Sequence, residues 1–303
     1  MIIKKLIADL SRPFRKKLKK LRIEWMILPK MSKESARSTM RHEAHRIEKS
    51  YYNNVYLKGK EIYDSKAQLI NKIFHMHLTK EDLKTNPDIL WAVEISSLTS
   101  KLDKKFINKE RRKERFEVDK NEFYKLIKER RSVRVWSNDQ PSGELLHSLS
   151  KRLIKAGISM PCSGNRQAIK FLVLIENEDK SFLSGIKEKH CIGAPMVILV
   201  FANTSLYGSY ETFGKGEDCI LIDSAAAASA ILIAAEIEGY STCWNHFGQD
   251  LMRSRMKNLK AYKKLCQRFN IDGSLQPVAA IAIGKEEFNP PEPRRMELED
   301  FII

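Results

Sequence analysis

Two stretches constrain this chain more than any other feature: PMVILVFAN (195–203) and VAAIAIG (278–284). A strand with one wet face alternates apolar and polar side chains, so short, unbroken apolar runs fit strands covered on both faces. IKFLVLIE (169–176) reads the same way. Helices to cover them are at hand. SGELLHSLSKRLIKAGIS (142–159) has Ser142 as an N-cap and Glu144 in its first turn. CILIDSAAAASAILIAAEIEGY (219–240) ends at Gly239, and its alanines and serines let another helix approach closely. Strands alternating with helices make an α/β or α+β domain.

Upstream the texture differs. Residues 1–120 hold 30 Lys and Arg against 16 Asp and Glu, whereas 121–303 hold 24 against 22. The net charge of +16 therefore belongs to a basic, mostly helical extension, 1–120, ahead of a nearly neutral domain, 121–303. Phe14, Leu18, Leu21, Trp25 and Leu28 recur at helical spacing, with Arg15, Lys16, Lys17, Lys19, Lys20 and Arg22 on the other faces. Such a helix suits an anionic membrane surface, or docks its stripe on the protein's own body or a partner subunit. The extension lacks the aromatic interleaving of a nucleic-acid binder, and no nucleic-acid partner is expected. His42 and His45 are three apart where a zinc HExxH motif needs four, so no metal site is expected. KEDLKTNPDILWAVEISSLTSKLDKKF (80–106) reads as one further helix, and NKERRKERFEVDKNE (108–122) as exposed linker or helix surface. Cys162, Cys191, Cys219, Cys243 and Cys266 are scattered, odd in number and never spaced CxxC, which fits reduced thiols. No run approaches 18 apolar residues, so no membrane-crossing helix is expected. The expected location is the cytoplasm, peripheral to the inner membrane surface if the first helix docks there.

Four segments carry candidate chemistry. In RRSVR (130–134) an extended backbone would turn Arg130, Ser132 and Arg134 one way and Val133 into the core. Two guanidiniums and a hydroxyl suit a phosphate, and equally suit structural salt bridges. MPCSGNRQ (160–167) joins a helix to a buried strand. Its Cys162, Ser163 and Gly164 allow close approach of a flat ligand, and Asn165 and Gln167 offer amides, although a plain turn explains all but the Gln. EGYSTCWNHFGQD (238–250) brings a strand end at Trp244, Asn245 and His246. PPEPRRMELEDFI (290–302) places Arg294 and Arg295 beyond the last strand, as a second phosphate grip or an exposed rim.

In this order and spacing the four segments resemble the nitroreductase family of flavoproteins, over roughly residues 121–303. RRSVR is similar to that family's opening FMN-phosphate motif, and PCSGNRQ to its PS-x-x-N-x-Q turn. HRIEKS, in the extension, more loosely resembles an N-terminal element of nitroreductase-like proteins from polysaccharide gene clusters. The resemblance implies an α+β nitroreductase-like fold, a central mixed sheet flanked by helices, and an intertwined homodimer with two FMN sites. It implies that Arg130, Arg131, Ser132 and Arg134 hold the FMN phosphate and ribityl chain. Cys162, Ser163, Asn165 and Gln167 would line the flavin, Trp244, Asn245 and His246 would lie near its reactive edge, and Arg294 or Arg295 would close on the phosphate. The implied activity is hydride transfer from NADH or NADPH through flavin N5 to a small acceptor. No protein acid or base is strictly needed, and His246 is the best candidate for a hydrogen bond to flavin or acceptor. The alternative is an FMN-binding accessory protein without turnover, docked to a membrane or partner by its N-terminal helices. Cys162 stands where the family usually has serine, and Ala168–Ile169 replace its usual Pro–Trp. Tyr207, Tyr210 and Phe213 form either an aromatic lid or a surface loop.

Overall fold

The computed structural model describes residues 21, 26–53, 60–101, 117–207, 217–247 and 256–303. The chain divides into two compact units: 1–113 with 163–168 and 205–217, and 114–162 with 169–204 and 218–303.

The second unit is built on four strands: β1 (Ile169–Leu174), β2 (Met196–Asn203), β3 (Ser241–His246) and β4 (Leu275–Gly284). Their order is β1-β2-β4-β3, and every neighbouring pair is antiparallel. The sheet is thus antiparallel and not the expected mixed one; beside it, an isolated parallel bridge joins Ser132 to Thr242 at the β3 edge. β2 is buried along its whole length, as its unbroken apolar run requires. Its side chains alternate between two cores. Met196, Ile198 and Val200 join Ala279, Ile281 and Ile283 of β4 on one face. Val197, Leu199 and Phe201 join Ala280 and Ala282 on the other. Pro277 has no N–H for the ladder, and the β2–β4 register shifts there, at Val200/Phe201.

Helices α6 (Gly143–Ile158) and α9 (Glu217–Ile237) supply the first core with Leu146, Leu149, Leu153, Ala228, Ile231 and Ala235. Ser142 caps α6 by accepting from the Leu145 N–H. Gly157 allows the close approach anticipated for the alanine-rich helix: a Cβ there would stand 3.2 Å from Ile231 and 3.3 Å from the Ala227 carbonyl. α9 breaks one expectation, because Asp218–Ile237 is by length and composition apolar enough to cross a membrane. Half of that segment is buried in the protein, and the inward half is accounted for by packing on the sheet. The opposite core takes Leu265 of α10 (Met256–Arg268), Leu183, and Cys191 of the short α8 (Lys189–Ile192), which follows the short α7 (Asn177–Ser181). The unit begins with α5 (Lys120–Glu129), capped by Asp119. All five cysteines are free thiols.

The first unit is helical: α1 (Lys33–Asn53), α2 (Lys60–His77), α3 (Lys80–Thr85) and α4 (Pro87–Ser97). The single helix expected over 80–106 is interrupted at Asn86, which is extended (φ −123°, ψ 97°) because Pro87 disfavours helical backbone before it and starts α4 instead. Met40, Ala44 and Ile47 of α1 pack with Ile70 and Ile73 of α2 and Ile89 and Ala92 of α4. Polar groups are buried in pairs. Lys66 Nζ lies 2.7 Å from Glu43, and Arg37 and Arg41 both bind Asp88, at 2.7 and 2.5 Å. Burial pushes the Asp88 carboxyl up, but the two arginines outweigh it and hold it below the usual carboxylate range. Of the amphipathic stripe, Leu28 is fully buried and Leu21 is exposed, while Phe14, Leu18 and Trp25 lie outside the described residues.

Candidate flavin-phosphate site

α5 ends at Glu129, and the chain turns extended at Arg130 (φ −54°, ψ 132°). Ser132 then bridges Thr242, and the Val133 N–H donates to the Thr242 carbonyl at 3.0 Å. Val133 is buried, as the alternation demands. Arg134 and Arg130 both act electrostatically on the Cys243 thiol. Burial nonetheless raises that thiol above its ordinary range, with Arg134 and Arg130 pulling against it. Arg131 donates to the carbonyls of Lys128 and Arg130, reaches Glu292 at 3.6 Å and lines the same cavity as Arg130. The segment continues against the chain beyond β4. Trp136 bridges Glu286, Ser137 N–H donates to the Lys285 carbonyl at 3.0 Å, and Glu287 N–H to that of Val135 at 3.1 Å. RRSVR is thus stitched on one side to the first residues of β3 and on the other to the stretch leading to Arg294 and Arg295. Those two arginines lie in exposed chain without regular secondary structure.

Beside Arg130 is a cavity of about 350 Å³, lined among others by Glu122, Lys125, Arg131, Glu236, Ser241 and Glu286. Glu236 ends α9. Burial pushes its pKa up to about 7, with Arg130 opposing and Glu286 reinforcing the shift. Its Oε1 is buried without a hydrogen-bond partner among the described residues, as is Thr242 Oγ1. These orphaned polar atoms flank the basic segment.

At the other end of β3 the side chains diverge. Trp244 packs against the first core. Asn245 faces inward: its Nδ2 donates to the carbonyls of Cys243 and Ala280, and its Oδ1 meets His190 Nε2 at 2.9 Å. His190 was not singled out from sequence. A lone histidine on a four-residue helix gives no periodic signal, and it is the fold that joins it to Asn245 and, through its carbonyl, to the Trp136 indole N–H at 2.7 Å. The His246 side chain is exposed, and its carbonyl accepts from Lys187 Nζ.

The remaining predicted residues divide between the units. Cys162 ends a segment of the second unit and is half-buried. Ser163, Asn165 and Gln167 lie in the 163–168 segment of the first unit. Gly164, Asn165 and Gln167 all have positive φ (59°, 51° and 53°), and the Gln167 amide donates to Asn165 Oδ1 at 3.3 Å. Tyr207 is buried, while Tyr210 and Phe213 lie outside the described residues.

A model described as "Nitroreductase family" matches residues 183–285, from Leu183 through β2, α9 and β3 to the end of β4. A protein of Archaeoglobus fulgidus, provisionally named an NADH dehydrogenase/NAD(P)H nitroreductase, is 31% identical over 144 residues, covering 46% of this chain and 74% of that protein. The chain belongs to the nitroreductase family. Among solved structures of similar fold are an FMN-dependent nitroreductase of Clostridium difficile and a provisionally described nitroreductase of Desulfovibrio desulfuricans in complex with FMN. The first is 21% identical, with a TM-score of 0.46, covering 59% of this chain and 95% of that one. The second is 23% identical, with a TM-score of 0.47, covering 61% and 97%. The family model stops short of RRSVR, the 163–167 turn and the C-terminal arginines, so what those residues do in this chain rests on their own chemistry.

Proposed function

We propose that this nitroreductase-family chain is an FMN-dependent oxidoreductase that takes electrons from NADH or NADPH and delivers them to a small acceptor. The observation that carries the reading is the convergence, within the second unit, of RRSVR, the start of β3 and the stretch leading to Arg294 and Arg295, tied together by Arg131 and Glu292. The donor set fits a phosphate: Arg130 and Arg134 are fixed cations, Ser132 adds a hydroxyl, and Glu236 is only partly ionised at neutral pH. FMN bound there would supply hydride chemistry at its ring. The protein's part is to hold the phosphate, with Arg294 or Arg295 closing over it, and to set the ring against the outer end of β3 at Trp244–His246. Ser163, Asn165 and Gln167 are assigned to the flavin by their motif.

We further propose a homodimer formed through α9. Its outward residues, Ile222, Ala226, Ser229, Ile233 and Ile237, recur at helical spacing and are apolar or small where a solvated helix would carry charge.

The test is direct. Purified protein should be yellow and release FMN on denaturation, and anaerobic NADH or NADPH should bleach the colour within the mixing time of a turnover experiment. Protein that neither carries nor takes up FMN overturns the reading. Protein that holds FMN but is reduced by neither nucleotide is an accessory flavin binder.

A further inference from the structure

The helical extension has no assigned role, yet its helix α1 grips one short segment. Arg41 Nη2 donates to the Arg166 carbonyl at 2.6 Å, and Ser38 Oγ to the same oxygen at 3.4 Å. His42 Nδ1 faces the Gly164 carbonyl at 3.3 Å. A carbonyl only accepts, so this nitrogen carries the proton. The ring is neutral: burial, with Arg166 beside it, pushes its pKa down to about 4. Arg41 is itself fixed by Asp88 of α4 at 2.5 Å, so the grip is anchored in the helical core.

What is gripped is a strained turn. Left-handed backbone is ordinary for Gly164 but costly for Asn165 and more so for Gln167, and such conformations persist only where the surroundings over-determine them. Within the turn, Arg166 Nη1 bonds Ser163 through its carbonyl and hydroxyl, at 2.9 and 3.2 Å. The Arg166 N–H also donates to the Ser163 carbonyl at 3.3 Å, and α1 adds its restraint from outside the turn. The contact is also shaped: a Cβ on Gly164 would fall 2.0 Å from His42 Nδ1.

We propose that α1 is the positioning element for the Ser163–Ala168 turn, with Arg41, Ser38 and His42 holding the strained backbone that presents Ser163, Asn165 and Gln167. The consequence for the flavin rests on the reading of that turn as flavin-contacting. The extension then belongs to the machinery of cofactor retention, and the role of α1 is to keep this turn in shape.

The test uses the full-length protein and a matched pair of variants. Arg41→Ala removes a ligand of Asp88 and the grip on the turn; Arg37→Ala removes a ligand of the same Asp88 without touching the turn. Amide hydrogen exchange over 163–168 and the FMN dissociation constant are measured for both. The expected result is at least tenfold faster exchange and at least tenfold weaker FMN binding for Arg41→Ala, with changes under threefold for Arg37→Ala. Unchanged exchange in Arg41→Ala, or equal loosening in Arg37→Ala, overturns the positioning role. Faster exchange with unaltered FMN affinity upholds the grip and overturns the assignment of the turn to the flavin. If Arg41→Ala does not fold, Ser38→Ala/His42→Ala carries the same comparison.

Discussion

Glu236 lines the same cavity as Arg130, and burial pushes its pKa up to about 7, so its charge changes near neutral pH. Its folded pKa is raised above the unfolded value near 4.5, so the folded state holds the extra proton between about 4.5 and 7. Stability from that proton is present below the unfolded value and lost as pH rises through the folded one. Glu236→Gln should accordingly match the wild type in melting temperature near pH 4.5 and exceed it at pH 8; equal melting at both pH values would refute this. The same variant should bind FMN more tightly than wild type at pH 8 and about equally at pH 5, because an ionised Glu236 competes with phosphate for Arg130. In the proposed site Arg130 and Arg134 would bear on the phosphate directly. A charge-assisted hydrogen bond contributes about 1.5–3 kcal/mol, so Arg130→Ala/Arg134→Ala should weaken FMN binding at least a hundredfold in a fluorescence titration. Full flavin occupancy in the double variant would mean that the phosphate sits elsewhere. The alternation of RRSVR could be read in the sequence because a two-residue period needs no tertiary knowledge, and Val133 went inward as that period requires. Glu236 could not. It looks like one acid at the end of an apolar helix until the fold sets it beside Arg130 and Glu286.

At the scale of elements, β2 and β4 were legible because burial on both faces leaves its mark on every residue. α10 was not, since only Leu265 is fully buried among its described side chains and a helix with so few core contacts leaves little pattern. The Asn86–Pro87 break was written in the sequence, but the apolar residues on both sides suggested continuity. Contacts between elements are the least legible of all, because they depend on which small residue meets which partner. Gly157 shows this. It is one glycine within a good helical pattern, yet it sets how closely α6 lies on α9. Gly157→Leu should force Ile231 and the Ala227 carbonyl away. Overpacking of this kind costs about 1–3 kcal/mol, measurable as a lower urea midpoint with little change in slope. Gly157→Ala, with only a few tenths of an ångström to recover, should lose less. A leucine variant as stable as wild type would show that the two helices part freely.

The proposed association of whole molecules turns on the face of α9 that does not touch the sheet. Ile222 and Ile237 are 63% and 66% exposed at opposite ends of that face, and Ala226, Ser229 and Ile233 fill the interval without a charge. Separately, in the chain beyond β4, Met296, Leu298, Phe301 and Ile302 are each more than 60% exposed. A lone molecule would leave this apolar surface in water, whereas a second copy would cover it and, having the same surface, would be covered in return. Small residues at 226 and 229 would let two such helices come close. Static light scattering on the wild type should therefore give twice the chain mass of 35.1 kDa. Ile222→Arg/Ile237→Arg places a cation at each end of the stripe, on side chains already largely in solvent, so the fold should survive while the dimer dissociates. The expected outcome is a monomer at micromolar concentration with an unchanged far-ultraviolet circular dichroism spectrum. A variant that stays dimeric would move the interface away from α9, and a monomeric wild type would remove it altogether. If the dimer also completes the cofactor site, the monomeric variant should lose FMN in proportion to its dissociation, a link that a concentration series reads from the same samples.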